Sequence, residues 1–386
     1  MNEPPRPRPV MQSPPGPETI IDGRRYSYFA GTSYLGLHAD PAVIEAACAA
    51  TRRYGIHTAT SRGGFGNNPP TLEVERLVAK FFAAPDAFYF VSGYMGTAVL
   101  AFAVQGAFDV ILADEYCHFS MLEAAKLLGL PIHQFRHLDV NAFADALRTA
   151  APPPQRPLLL TDGVFSSTGE IAPLDKYLQL LDSRPGAAVL IDDAHGVGTI
   201  GAHGRGSLEH LGLGSRPINA TADELPAGTA GVYVCATLSK ALGGFGGIVA
   251  GTSKCMDRVR TASHCFDAAS APPTAVAAAS VQALEIVMAR PELRTQLQRN
   301  IQHVRQGLRA LGVPVDDLPT SIVAARCGSA ERMKQLHDEL RQRGFIVPYV
   351  RAYSGAGPEG LMRIAVCAAH TESMIDALLD EFRRLL

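Results

Sequence analysis

Gly231-Val-Tyr-Val-Cys-Ala-Thr-Leu-Ser-Lys240-Ala-Leu-Gly-Gly-Phe-Gly-Gly-Ile-Val-Ala-Gly251 is the stretch from which fold and chemistry can both be read. A β-prone apolar run ends in Thr237-Leu-Ser-Lys240, a turn dense in glycine follows (Gly243, Gly244, Gly246, Gly247), and Ile248-Val249-Ala250 resumes as a strand. A single lysine set between two apolar strands loses solvent, which lowers its pKa and frees the amine for covalent work on a carbonyl. A surface lysine in a glycine-rich hairpin would read the same way, so the surrounding chain has to decide.

Upstream, strands alternate with helices. Phe88–Val91 reads as a strand, and Ser92-Gly93-Tyr94-Met95-Gly96 turns into a helix that runs through Val104. Val110–Ala113 is a strand followed by a helix over Ser120–Leu128. Leu158–Leu160 leads to Asp162-Gly163, Leu174–Leu181 is helical, and Val189–Ile191 ends at Asp192. Continuous apolar strands separated by helices indicate an α/β fold with a parallel sheet covered on both faces, and such folds bind ligands just past the strand ends.

Further out, the proline-rich first 17 or so residues read as a disordered or polyproline-like arm. Ile20–Phe29 reads as a hairpin turning at Asp22-Gly23, a helix opens at Asp40-Pro41, and Leu72–Phe82 is amphipathic, with Leu72, Val74, Leu77, Val78, Phe81 and Phe82 on one side. Past Pro272-Pro273 come helices over Thr274–Ala289 and Leu293–Leu311, short strands at Ile322-Val323, Phe345–Val347 and Leu361–Val366, and a last helix over Thr371–Leu385. The pattern predicts an N-terminal arm over 1–45, a large domain over 46–280 and a smaller C-terminal α+β domain over 281–386.

Composition narrows the function. Thirty-five basic against 37 acidic residues give a net charge of −2 with no basic stripe, so nucleic-acid binding has no electrostatic support. No apolar stretch approaches the roughly 20 residues of a membrane span, and the N-terminus lacks the apolar core of a signal peptide. Seven scattered cysteines without CxxC spacing argue against a disulfide framework and a zinc site, leaving no metal expected and a reduced, cytoplasmic setting.

Asp192-Asp193-Ala194-His195 follows a strand and can present a carboxylate and an imidazole to one ligand, although DxxH alone is also an ordinary hydrogen-bonded turn. Joined with Lys240, the set offers what pyridoxal 5′-phosphate (PLP) requires: an amine for its carbonyl, a carboxylate for its ring nitrogen and an imidazole for its phenolic oxygen. Ser92-Gly93-Tyr94 at a strand-to-helix turn could hold a phosphate through free N–H groups. His118, after the next strand, could stack on a pyridine ring or simply cap a loop, and Thr161–Glu170 offers hydroxyls.

Three runs, TDGVFSSTGEIAPL (161–174), IDDAHGVGTIGAHGRG (191–206) and TLSKALGGFGG (237–247), in this order and spacing, resemble the α-oxoamine synthases of PLP fold type I, and the likeness extends from about Ile21 to the C-terminus. The resemblance implies a mainly parallel seven-stranded sheet sandwiched by helices, and a homodimer with shared active sites. It implies that Lys240 carries PLP and moves the α-proton, Asp192 holds the pyridinium, His195 meets O3′ and His118 stacks on the ring. Ser166 would lie near O3′, Ser92, Gly93 and Tyr94 would meet the phosphate with Thr237 in support, Arg363 would clamp the amino acid's carboxylate, and Arg351 and Thr32 would border the substrate. The implied reaction is a decarboxylative Claisen condensation of alanine, glycine or serine with an acyl thioester on CoA or a carrier protein. Another PLP reaction (amino transfer, racemisation or lysis) is the alternative, and a non-catalytic subunit is a third, against which the presence of Lys240 speaks. The chain departs from the family's pattern at Thr32-Ser33, where Asn-Asp is usual, in Gly55–Arg62 with His57, at Thr71, at Ala268-Ala269 and in Arg351–Pro358. These departures surround the substrate and the dimer-shared edge, while the cofactor motifs are intact.

Overall fold

The computed structural model describes residues 8–351 and 355–386, so the start of the arm and residues 352–354 of the Arg351–Pro358 run lie outside the described residues. β1 (Glu18–Ile21) and β2 (Arg24–Tyr28) form the expected antiparallel hairpin. Asp22 and Gly23 at its tip both have positive φ, 51° and 77°, as a two-residue type I′ turn demands. The arm before it is not free as expected. Gln12 donates its backbone N–H to Ile20 O (2.8 Å), Tyr28 donates to Pro17 O (2.8 Å), and the Ser13 and Thr19 hydroxyls lie 3.0 Å apart. Prolines remove donors but leave carbonyl oxygens to accept, so residues 10–17 can lie along β1.

Seven strands follow in one sheet: β3 (Asp86–Phe90), β4 (Val110–Asp114), β5 (Ile132–Phe135), β6 (Pro157–Asp162), β7 (Ala188–Asp192), β8 (Gly231–Thr237) and β9 (Gly247–Gly251). Their order is β3-β9-β8-β7-β6-β4-β5, with β9 antiparallel to both neighbours and the other pairings parallel. This is the mainly parallel α/β sheet that the sequence implies. Alternation along each strand splits the core into two layers. Ile111, Leu158, Leu190 and Cys235 face one set of helices, and Leu112, Leu159, Val189 and Val234 face the other.

Some elements escaped the sequence. β5 is an edge strand whose Ile-His-Gln-Phe carries too little apolar signal, and the helices Val140–Thr149 and Ser253–Ala262 each bury only short apolar sets. The helix expected over 120–128 is an α-helix, Phe119–Ala125, continued by a tighter turn, Lys126–Leu128. Leu72 does not join the apolar side of its helix (Pro69–Phe82) and is 49% exposed. It stands two residues before buried Val74, about 200° round the axis.

In the C-terminal part, β10 (Ile322–Ala325), β11 (Phe345–Ile346), β12 (Tyr349–Val350) and β13 (Leu361–Ala365) divide between two small sheets. β10 and β12 flank β13 antiparallel, whereas β11 pairs parallel with β2, Phe345 opposite Ser27. The two ends of the chain therefore share a sheet. One apolar cluster joins Phe29 and Tyr34, Leu77 and Leu242, and Ile364 and Phe382. The divisions proposed at 45/46 and 280/281 fall inside two continuous helices, Pro41–Tyr54 and Thr274–Ala289, which pack on each other. No helix among the described residues is long and apolar enough to cross a membrane.

The altered Gly55–Arg62 loop is held by a buried ion pair. Arg62 donates to both Glu75 carboxylate oxygens (2.6 and 2.9 Å) and to Tyr89 O (3.1 Å), and its guanidinium lies 5.4 Å from each of the Phe88 and Phe266 rings. Glu75 also accepts the Tyr89 N–H at 2.9 Å. Removing one partner strands the other charge out of water. Glu75→Ala is expected to cost about 3–5 kcal/mol in urea unfolding, more than Arg62 and Glu75 replaced together by apolar residues of similar volume.

Candidate active site

Parallel strands bring their last residues to one edge. Asp114, Asp162, Asp192 and Thr237 end β4, β6, β7 and β8, with Asp162 opposite Asp192 in register. Because β9 is reversed, it starts at this same edge, with Gly247 opposite Thr237. The turn between β8 and β9, which carries Lys240, therefore folds over the ends of the parallel strands. Gly243 has φ +72°, and a β-carbon there would come within 2.4 Å of Leu37 Cβ, so the turn needs glycine.

A cavity of about 310 Å³ opens at this edge, lined by Ser92, Gly93, Tyr94, His118, Ser120, Asp162, Asp192, His195, Thr237, Ser239 and Lys240 among others. The lysine is not on an open surface. Burial brings its pKa down to about 8, against the pull of Asp192 and Asp162 and with Arg363 acting in the same direction as burial. Its Nζ lies 2.8 Å from His195 Nε2. Burial first, then the charges of Lys240 and Arg363, holds His195 well below the usual imidazole range, so the ring is neutral near pH 7. Asp192 takes the Ala194 N–H at Oδ1 (3.0 Å). His118 accepts the Ser120 N–H at Nδ1 (3.3 Å), lies 2.8 Å from Ser120 Oγ, and gives its backbone N–H to Asp162 Oδ2 (2.7 Å). Burial lowers its pKa as well.

The turn after β3 comes against Thr237. A β-carbon on Gly93 would sit 2.6 Å from Thr237 Oγ1, so only glycine allows this approach. Ser92 Oγ caps the short helix by accepting Tyr94 N–H (3.3 Å), and Thr237 Oγ1 donates to Gly246 O (2.9 Å) while accepting Ser239 N–H (3.1 Å). The Tyr94 hydroxyl donates to Glu123, and its ring meets His118 edge-on at 6.1 Å.

Three of the remaining residues named from the sequence stand differently. Ser166 is absent from the cavity lining and contributes its carbonyl oxygen to Arg363 Nε at 2.8 Å. Thr32 lines a neighbouring cavity of about 250 Å³ with Ser33, Tyr34 and His38, next to Ser239. Arg351 is exposed at the end of β12 and lines neither cavity. Among the altered positions, His57 is exposed and accepts Ala59 N–H at 2.9 Å, Thr71 is fully buried, and exposed Ala268 and half-buried Ala269 stand beside Ser270, which bridges to Ser61.

Two site groups escaped sequence reasoning. Tyr34 is 1% exposed and lies 2.8 Å from His195 Nδ1, and Arg363 Nη2 donates to its oxygen at 3.3 Å. Nothing in the sequence ties it to a histidine 161 positions away. Asp162 is the second strand-end carboxylate. Burial, with Asp192 beside it, raises its pKa well above the carboxylate range. Its place at the end of an apolar run, like that of Asp192, was the available signal.

These groups fit PLP. The cavity offers an amine of reduced basicity, a strand-end carboxylate for a protonated ring nitrogen, a neutral imidazole for a phenolic oxygen, and a glycine-bearing helix start for a phosphate.

The comparisons agree. A family model described as aminotransferase class I and II matches residues 30–382. The chain is 34% identical to the 8-amino-7-oxononanoate synthase of Stutzerimonas stutzeri, over 97% of this chain and 91% of that one. The enzyme of the same name from Methylococcus capsulatus is also 34% identical, over 97% and 92%. Among solved structures, a serine palmitoyltransferase from S. paucimobilis with PLP bound superposes with a TM-score of 0.88 at 26% identity, covering 98% of this chain and 92% of the other. The chain belongs to the class I and II aminotransferase family, among the PLP-dependent acyltransferases called α-oxoamine synthases.

Proposed function

We propose that the chain catalyses the decarboxylative condensation of a small amino acid (alanine, glycine or serine) with an acyl thioester, giving an α-aminoketone and releasing carbon dioxide and the free thiol of CoA or of a carrier protein. The observation that carries this reading is the pairing of a desolvated amine, Lys240, with a guanidinium, Arg363, through His195 and Tyr34. Arg363 has no carboxylate partner among the described residues and touches only the Ser166 and Gly31 carbonyls and the Tyr34 hydroxyl. A planar guanidinium so placed suits a substrate carboxylate. The names of the relatives support a condensation.

PLP, when bound, supplies an electron sink that stabilises negative charge at the substrate's α-carbon. The chain does the rest. Lys240, with its pKa brought down to about 8, is neutral for about a tenth of the time near pH 7, far more than a solvated lysine, and can both hold the cofactor and take the α-proton at Nζ. Asp192 would hold the protonated ring nitrogen of the cofactor, and His195, whose Nε2 lies 2.8 Å from Lys240 Nζ, would meet its phenolic oxygen. His118, in the cavity wall, would cover the ring, and Arg363 would fix the carboxylate that leaves, so that the bond to be broken is oriented before reaction. Asp162, its pKa raised by burial beside Asp192, adds a proton-holding neighbour to that edge rather than a second charge. The protein is proposed to work as a cytoplasmic homodimer, with Thr32, in the neighbouring cavity, bordering the substrate.

The test is release of free thiol from a panel of acyl-CoAs, each mixed with glycine, L-alanine or L-serine and PLP-loaded protein. Release requiring one amino acid and one thioester together is the expected result. No release from any pair, while an amino acid still changes the cofactor's absorbance, would leave PLP chemistry of another kind at the same lysine. Lys240→Ala should abolish the covalent PLP adduct that borohydride fixes, and an adduct persisting elsewhere would refute the role given to Lys240. Arg363→Ala should raise the amino-acid KM about 10- to 100-fold, the loss of a charge-assisted pair, with little change in PLP affinity. Equal losses in both would make Arg363 structural.

A further inference from the structure

We propose that a second cavity, built on the loop after β7, binds a small carboxylate with an apolar body, its charged end on Arg205. The condensation is not a premise of this proposal. Asp192 and His195 line the active cavity, whereas Asp193, His203 and Arg205 of the same stretch line the other. The two cavities share no lining residue, and the second is the larger, about 470 Å³ against about 310 Å³. That volume is in the range of small-molecule sites.

The wall is apolar with one unmatched charge. Phe82, Leu208, Ile218 and Val234 line it, the last three packed in the apolar layer on one face of the large sheet. Its acids are occupied. Glu209 accepts the His203 and Arg205 backbone N–H groups (2.9 and 3.0 Å) and lies 2.6 Å from His203 Nδ1. Asp193 accepts the Ser207 N–H and hydroxyl at Oδ2 (2.7 and 2.9 Å). Its Oδ1 is turned to Gly163 and Gly196, where a β-carbon would come within 2.4 and 2.1 Å. Arg216 is paired with Asp182. Arg205 is the one arginine of the wall with no carboxylate partner among the described residues.

Arg205 is also held in place. Its backbone bridges to Val197, and its Nε donates to Phe81 O at 2.7 Å, at the end of the helix Pro69–Phe82. Fixing Nε leaves the two terminal nitrogens as a planar pair of donors, which a carboxylate matches with two charge-assisted bonds. The apolar wall decides the rest of the ligand. Inorganic phosphate would gain the bonds but leave Leu208 and Ile218 against water, and an uncharged apolar molecule would strip water from the guanidinium without replacing it. A carboxylate carrying a hydrocarbon chain satisfies both.

The experiment is equilibrium dialysis of radiolabelled octanoate, and of octanamide as its uncharged counterpart, against full-length PLP-loaded protein. Wild type, Arg205→Gln and Arg363→Ala are compared, the last because Arg363 could hold a carboxylate in the active cavity. Arg363→Ala should still bind octanoate, about tenfold more tightly than octanamide. Hexanoate, two methylenes shorter, should bind roughly tenfold more weakly than octanoate. Arg205→Gln should remove the preference for the acid over the amide. Binding lost in Arg363→Ala but kept in Arg205→Gln would put octanoate in the active cavity and overturn the proposal. So would equal affinity of the wild type for acid and amide, or no binding of either. Should Arg205→Gln fail to fold, Gly214→Trp replaces it. Gly214 lines the cavity, its φ is outside the left-handed region, and a β-carbon there meets nothing closer than Glu209 Cα at 3.6 Å. The added ring should weaken octanoate at least about tenfold, the effect of closing off its apolar contacts. Unchanged affinity refutes the site.

Discussion

The structure depends on keeping charge out of water at the ends of parallel strands. Asp114, Asp162 and Asp192 finish β4, β6 and β7, and Lys240 folds over them from the β8–β9 turn. In bulk water these groups would ionise independently. Here burial raises Asp162 and lowers Lys240, His118 and His195, so each group's protonation depends on its neighbours. The apolar layers on both faces of the sheet are what keep this edge dry, and the reversal of β9 brings the lysine to the same edge as the acids.

The second requirement is that three separate parts of the chain converge. Lys240 and His195 come with the large sheet, Tyr34 with the N-terminal segment and Arg363 with β13. The shared apolar cluster that includes Phe29, Leu242 and Ile364 locks these parts together. Arg363 is aimed by backbone oxygens, with Ser166 O taking Nε and Gly31 O taking Nη1, so its direction does not require an acidic partner that would compete with a substrate carboxylate. His137 plays a comparable role beneath the edge. Hydrogen bonds to Asp114 and Glu170 outweigh burial and push its pKa up to about 9, tying the loops after β4, β5 and β6 into one unit.

Much of this was legible in the sequence. Buried parallel strands announce themselves as unbroken apolar runs, and polar residues at their ends mark the binding edge, which is why Lys240, Asp192 and His195 stood out beforehand. Lys240 in its glycine-rich turn could have been an exposed hairpin residue, and its desolvated position in the structure removes that reading. Tyr34 directly follows the altered Thr32-Ser33 pair, yet its contact with His195 is tertiary and leaves no periodicity or spacing to read. Ser166 followed the family's pattern in sequence, but in this chain its contribution to the site is a backbone oxygen, which side-chain identity does not encode. The fixed part of the proline-rich arm was missed because composition reports on donors and stiffness, not on the carbonyls that a neighbouring strand can use.

The pairing of β2 with β11 also sets an order on the making of the molecule. Tyr28 at the end of β2 cannot gain its parallel neighbour Ile346 until almost the whole chain has left the ribosome. The large sheet, complete at Gly251, can form well before that. Thr32 and Tyr34 follow directly after β2, so the substrate side of the site is assembled last, against a lysine edge already in place. A chain that stops short of residue 345 would therefore carry Lys240, Asp192 and His195 without the N-terminal wall fixed beside them.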